Sequence, residues 1–154
     1  TLKFNVHDMS KPYPDTFDAV FNLFTSFGYF EDENCNLETI KAIKSELNDF
    51  GFGVIDFMNV NYIIENLVAE DVKTVEGIDF HQKRSVKDGY IIKDISFEAD
   101  GEHFEFQERV KAFTLKDFEM LFEKAGVYLL DVFGDFKLHK YHSKTSERLI
   151  MIFK

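Results

Sequence analysis

Two strand ends carry the residue types from which a binding site is built. Asn22 to Tyr29, NLFTSFGY, follows the apolar run Phe17 to Phe24 with small polar, aromatic and glycine positions. Open α/β sheets bind ligands outside the carboxyl ends of their strands, so contacts to a small molecule are expected in this loop. Asp56-Phe57-Met58-Asn59 ends a second apolar run and forms another wall at the same edge. A carboxylate there could act as a base, but acids at strand ends also serve as caps or stay solvated. The residues alone assign no catalytic group.

Other reactive side chains carry less. His139-Lys140-Tyr141-His142 has an i, i+3 spacing, but it lies in a loop with no Cys and no third ligand implied, so no metal site is expected. The single cysteine, Cys35, excludes an internal disulfide and suits a reducing cytoplasm. No His close in sequence activates it. Glu108-Arg109 offers a guanidinium fork suited to a substrate carboxylate, although a solvated strand face carries the same pair. His7 reads as structural, and Asp8 as the residue that organises the following turn, Ser10 to Asp15, which holds both prolines.

These positions need elements to hold them. Phe17, Ala19, Val20, Phe21, Leu23 and Phe24 form a nearly continuous apolar run, the pattern of a parallel-sheet strand buried on both faces by helices. From about Asp32, Leu37, Ile40, Ile43 and Leu47 recur at helical spacing behind the acids Asp32, Glu33 and Glu38. That helix covers one sheet face. Asn48 to Gly51 stops it, Phe52 to Phe57 is the next strand, and a short helix spans roughly Asn61 to Leu67. Ahead of all these, Leu2, Phe4 and Val6 alternate with Lys3, Asn5 and His7 as an edge-type strand.

From Val72 to Phe113 the period changes to two, with turn signals at Asp88-Gly89 and Asp100-Gly101. Phe104, Phe106, Val110 and Ala112 alternate with polar neighbours, and Ile78, Phe80, Ile91, Ile95 and Phe97 complete one apolar face. A three-stranded antiparallel meander is expected, inserted over residues 72–113 to roof the site or to make a dimer contact. Thr114 to Asp117 then starts a helix with the stripe Leu115, Phe118, Leu121, Phe122 and Ala125, closed by Gly126 in a left-handed cap. Strand Val127 to Phe133, a loop and the terminal strand Arg148 to Lys154 follow, the two strands antiparallel because no helix separates them.

At 154 residues, with 45% hydrophobic and 30% charged content, the chain is one soluble globular domain, 1–154. Nineteen Phe and no Trp supply an aromatic core. The formal charge of -10 repels polyanions, which excludes nucleic acid and favours a small-molecule partner. No apolar run approaches the roughly 20 residues of a membrane span and no signal peptide is visible, so no membrane partner and a cytoplasmic location are expected. The chain begins at Thr1 rather than Met, as a processed or truncated product would.

FDAVFNLFTSFGYF, then a helix, then FGVIDFMN, resembles the fourth and fifth strands of the class I, Rossmann-like S-adenosylmethionine-dependent methyltransferases. The resemblance continues through RVKAFTLKDFEMLFEKAG to the last residue, and LKFNVHDM resembles the third strand. It implies an α/β fold: a partial methyltransferase sheet, strands 3 to 7 of the order 3-2-1-4-5-7-6, with the three-stranded meander inserted. NDFGFG departs from the family's Pro-Gly-Gly turn but keeps glycines that can supply positive φ. The family's Gly-rich turn for the methionine end of the cofactor, and its acid for the ribose, have no counterpart before Phe17.

The resemblance further implies in-line transfer of the methyl group of S-adenosylmethionine to an O, N or C nucleophile of a small molecule, which depends on orientation and water exclusion more than on a general base. Asp8 and Met9 would meet the adenine, and Asn22 and Leu23 the methionine part of the cofactor. Phe27, Gly28 and Tyr29 would face the substrate; the residues themselves add Asp56, Asn59 and Arg109 as candidate substrate contacts. Without the Gly-rich turn, this chain is expected to bind cofactor weakly or not at all, as an inactive fragment of an active longer protein. The strand Leu2 to Asp8, parted from its neighbours, should pair elsewhere or be exchanged with another copy, so a homodimer is expected. The alternative from another class is a non-enzymatic α+β ligand-binding or dimerisation module built on the meander.

Overall fold

Two four-stranded sheets share one aromatic core in the computed structural model, which describes residues 2–154. Strand β1 (Phe17–Asn22) leads through a loop to helix α1 (Glu33–Glu46), and α1 runs directly into β2 (Leu47–Met58). After the short α2 (Val60–Glu65) come β3 (Glu70–Val75), β4 (Ile78–Lys87), β5 (Tyr90–Ala99) and β6 (Glu102–Lys111). Helix α3 (Leu115–Ala125), β7 (Leu129–Phe133) and β8 (Arg148–Phe153) complete the chain. No helix among the described residues is long and apolar enough to cross a membrane.

The first sheet has the order β1-β2-β8-β7. β1 and β2 are parallel, and β8 lies antiparallel between β2 and β7, the insertion expected of the last strand. Ile40 and Ile43 of α1 and Phe118 and Phe122 of α3 join Ile55, Phe57, Met151 and Phe153 of the sheet in one buried cluster. Local chemistry sets both helix starts. Asp32 accepts from the Asn34 amide at 2.9 Å, and Thr114 and Asp117 form a complete capping box despite the shorter acid. Gly126, at φ 69°, closes α3 in the left-handed cap.

Three expectations are corrected in this sheet. β1 is not buried on both faces: it is an edge strand, and Phe21 is 58% exposed, because helices cover one side of the sheet only. Residues 2–7 form no strand. Their alternation is present, but an extended segment is held by a partner's hydrogen bonds, and no strand lies beside it among the described residues. Gly51 and Gly53 do not adopt positive φ. They answer crowding instead, since a Cβ on Gly53 would lie 2.5 Å from the Phe153 ring.

The second sheet, β3-β4-β5-β6, is antiparallel throughout and has four strands rather than three. The extra hairpin turns at Glu76-Gly77, whose φ values of 51° and 84° match those at Asp88-Gly89 and Asp100-Gly101. All three are two-residue turns with positive φ at both positions, the geometry that fits strand twist. Glu in place of Asn or Asp obscured the first of them. One face of this sheet begins apolar at the core with Ile91 and Val110, crosses a belt of Arg84, Lys93 and Glu108, and ends in the rings of Phe80, Phe97, Phe104 and Phe106. The expected continuous apolar face is therefore interrupted by charge.

Candidate active site

At the carboxyl end of β1 the chain turns sharply, with Phe24 at φ 59° and Thr25 at φ 58°, both in the left-handed region that side chains disfavour. The end of β2 holds this turn in place. Phe24 N donates to Asp56 Oδ2 at 2.8 Å and Thr25 N to the Asp56 carbonyl at 3.0 Å. Asp56 is 1% exposed, and its charge is matched by Arg148, whose Nε and Nη2 reach Oδ1 at 2.8 and 2.7 Å. Nη2 also donates to Thr25 Oγ1 at 3.0 Å. A buried carboxylate without such a partner would be strongly destabilising.

A cleft of about 490 Å³ opens above this network. Its floor is Thr25, Met58 and Arg148; its side is Ile63, Asn66, Leu67 and Val68; its roof is Arg84, Ile91, Lys93, Glu108 and Val110 of the second sheet, with Tyr29 beside them. The cations at its rim are paired, Arg84 with Asp71 at 3.1 Å and Lys93 with Glu108 at 3.6 Å. The cleft is thus an apolar chamber edged by ion pairs. Burial pushes the Tyr29 phenol above its ordinary pKa, and the Glu108 carboxylate adds to the shift.

Solved structures share this fold. A S-adenosylmethionine-dependent methyltransferase from Clostridium acetobutylicum aligns with 97% of the chain at a TM-score of 0.84 and 18% identity. The CcbJ methyltransferase from Streptomyces caelestis aligns with 95% at a TM-score of 0.78 and 12% identity. An amino pentose methyltransferase from Micromonospora echinaspora, solved with its S-adenosylmethionine bound, aligns with 96% at 0.68 and 18%. The fold is that of the class I S-adenosylmethionine-dependent methyltransferases. The chain spans about three fifths of these methyltransferases, 63%, 61% and 62% of their respective lengths. No family model and no curated protein matches the sequence.

Within the methyltransferase fold, the residues singled out from sequence fall in distinct places. Those at the end of β1 lie together. Asp8 Oδ1 accepts from the Ser10 amide at 2.9 Å and its hydroxyl at 2.8 Å, so Asp8 does organise its turn, and these bonds hold its carboxyl below the ordinary range. Oδ2 has no hydrogen-bond partner among the described residues. Met9 Sδ lies 3.7 Å from Asn22 Nδ2, which brings this turn beside β1; Asn22 is buried and Leu23 partly exposed.

A second group supports the cleft without lining it. Phe27 is 0% exposed, wedged between Phe113 and Phe118 at centroid distances of 5.8 and 5.3 Å, so it does not face the cleft as expected. Gly28, at φ 88°, accepts from Lys111 N at 2.9 Å and ties the loop to β6. Asn59 is buried. Its Nδ2 donates to Ser143 O at 2.9 Å and Ser146 O at 2.7 Å, while Tyr141 donates to its Oδ1 at 3.2 Å. It organises the β7–β8 loop and does not line the cleft.

Arg109 stands apart from the cleft, and several cleft-lining residues were not singled out from sequence. Arg109 stacks on Tyr90, 3.6 Å from the ring centroid, on the opposite face of β6 from the cleft-lining Glu108 and Val110. Strand alternation decides this, because neighbouring side chains leave opposite faces. Arg148, Arg84 and Lys93 were not identified from sequence. Arg84 and Lys93 share the face of Val110 by register, a signal the meander offers only once its pairing is known. His139 Nδ1 meets Asp135 Oδ2 at 2.6 Å, and no group of three His, Cys, Asp or Glu among the described residues is arranged for a metal ion.

Proposed function

We propose that this chain is the carboxyl-terminal part of a S-adenosylmethionine-dependent methyltransferase acting on a small molecule, a single domain over 1–154 with the meander of residues 72–113 inserted as a roof. The observation that carries this reading is the position of the cleft, open at the ends of β1 and β2 and covered by the second sheet. The acceptor lies against Tyr29, where Met58, Ile63, Ile91 and Val110 exclude water and Thr25 and Arg148 face it from the floor. When bound, S-adenosylmethionine would supply an electrophilic sulfonium methyl for in-line transfer to the acceptor's lone pair, the electrons of the broken C–S bond leaving with S-adenosylhomocysteine. One solved neighbour is an amino pentose methyltransferase, in line with a small-molecule acceptor.

The residues present fit part of the cofactor. Asn22 and Leu23 stand at the end of β1 for its methionine portion, and Asp8 has a free carboxylate oxygen for the adenine amino group, with Met9 alongside. A Gly-rich turn and a ribose-binding acid are not among the 154 residues, so further polypeptide completes the site and this chain alone binds cofactor weakly and is inactive. The protein works in the cytoplasm. The outer edge of β1 and the exposed apolar residues Leu2, Phe4 and Val6 support a homodimer in which strands are exchanged. Light scattering that returns the mass of one chain would remove the dimer from this proposal.

A second reading has one observation in its favour. The half-exposed rings of Phe80, Phe97, Phe104 and Phe106 form an aromatic patch far from the strand ends, as suits a non-enzymatic ligand-binding or dimerisation module. Calorimetric titration of S-adenosylhomocysteine separates the two. Binding by the product of the full reading frame, and little by the 154-residue chain, is the expected result. If neither binds, the methyltransferase reading fails and the module stands.

A further inference from the structure

The guanidinium on the cleft floor also governs the turn that ends β1, and this links the two sides of the proposed site. We propose that Arg148 is a positioning residue: through Asp56 and Thr25 it keeps Phe24 and Thr25 left-handed and so sets where the strand-end loop meets the cofactor. This rests on the methyltransferase reading given above.

Two successive non-glycine residues at φ 59° and 58° persist only where their surroundings over-determine them. Here the surroundings are few and specific. Asp56 takes the Phe24 amide on Oδ2 at 2.8 Å, and its carbonyl takes the Thr25 amide at 3.0 Å. The carboxylate can aim Oδ2 at Phe24 because Arg148 occupies Oδ1 with two N–H groups, at 2.8 and 2.7 Å. The same guanidinium reaches Thr25 Oγ1 at 3.0 Å, so it touches both the holder and the held. A lysine ammonium has no planar fork with which to make these bonds in one geometry. Asn22 and Leu23 enter the turn directly, and Ser26 Oγ closes it on Leu23 O at 2.6 Å, so a change at Thr25 is carried to the residues placed beside the cofactor.

The test uses Arg148→Gln, Thr25→Gly and their combination. Amide exchange of the 154-residue chain reads the turn, and S-adenosylhomocysteine affinity of the full-reading-frame protein reads its consequence. Arg148→Gln is expected to speed exchange at Phe24 and Thr25 by about tenfold, with Ile55 unchanged, and to weaken binding by about tenfold. Adding Thr25→Gly should return affinity to within about threefold of wild type, since glycine adopts this conformation unaided. Unchanged exchange at Phe24 and Thr25 would overturn the proposal. So would affinity that Thr25→Gly fails to recover, because Arg148 would then act by touching the ligand. Should Arg148→Gln loosen Ile55 as well, Arg148→Lys, which keeps the charge beside Asp56, carries the same expectations. If the wild-type longer protein does not bind S-adenosylhomocysteine, the methyltransferase reading falls, and exchange alone decides whether Arg148 holds the turn.

Discussion

Asp56 and Arg148 are 92 residues apart in sequence and 2.7 Å apart in the fold. Antiparallel register explains how they meet. Asp56 stands opposite Ile150 and Met58 opposite Arg148, so the two charged residues are diagonal neighbours on one face of the β2–β8 pair. The pair joins the two strands at the edge where the cleft opens.

Removing one member should therefore cost more than an ordinary surface ion pair. Asp56→Ala leaves Arg148 without its partner and the Phe24 amide without its acceptor, and a loss of about 3–5 kcal/mol in unfolding free energy is expected. Urea denaturation measures it. In a double-mutant cycle with Arg148→Met, the two losses should fall short of adding by at least about 1 kcal/mol. Simple additivity would show that the pair is not coupled.

Gly53 faces the Phe153 ring so closely that an added methyl has no room. Because Phe153 is fully buried and stacked on Phe122, its ring cannot swing aside cheaply. Gly53→Ala is expected to destabilise by about 1–3 kcal/mol, with partial recovery on adding Phe153→Leu. An unchanged melting temperature in Gly53→Ala would contradict the close packing.

The raised phenols of Tyr29 and Tyr141 make stability depend on alkaline pH. For each, the folded pKa lies above the unfolded value, Tyr29 through burial and Glu108, Tyr141 through burial alone. Their contribution is complete below the unfolded value of about 10 and is lost as pH rises through the folded one. Unfolding free energy should accordingly fall above about pH 10. In an absorbance titration of tyrosinate, Glu108→Gln should move the Tyr29 midpoint down and leave that of Tyr141 in place. A Tyr29 midpoint indifferent to Glu108 would place the carboxylate elsewhere.

Glu76 holds a left-handed position in a two-residue hairpin turn, where Asn is much better suited. Glu76→Asn is expected to stabilise the protein by about 0.5–1 kcal/mol, measured by urea denaturation. A destabilised variant would mean that this turn has a different geometry.

Much of the fold was legible because it is written in local rules. The capping box at Thr114 and Asp117, the glycine cap at Gly126, and the turns at Asp88-Gly89 and Asp100-Gly101 follow from residues within a few positions of one another. The parallel pair β1–β2 and the antiparallel end of the sheet follow almost as directly from the elements between them. Asp8 behaved as its sequence context indicates, because its partner is two residues away.

What the chain could not disclose by itself depends on which distant surfaces meet. Leu2, Phe4 and Val6 have the alternation of a strand, but a strand exists only beside a partner, and among the described residues none is there. Phe27 and Tyr29 are two residues apart in one loop, yet the core takes the first and the cleft keeps the second. Arg109 and Glu108 are adjacent, and the pleat sends them to opposite faces. Arg148 is an unremarkable first residue of a terminal strand until register sets it diagonal to Asp56. Local sequence thus determined most of the elements and their caps, whose energies come from near neighbours. Tertiary structure alone decided the site, because burial, charge pairing and the left-handed turn at Phe24 and Thr25 are created by contacts between segments far apart in the chain.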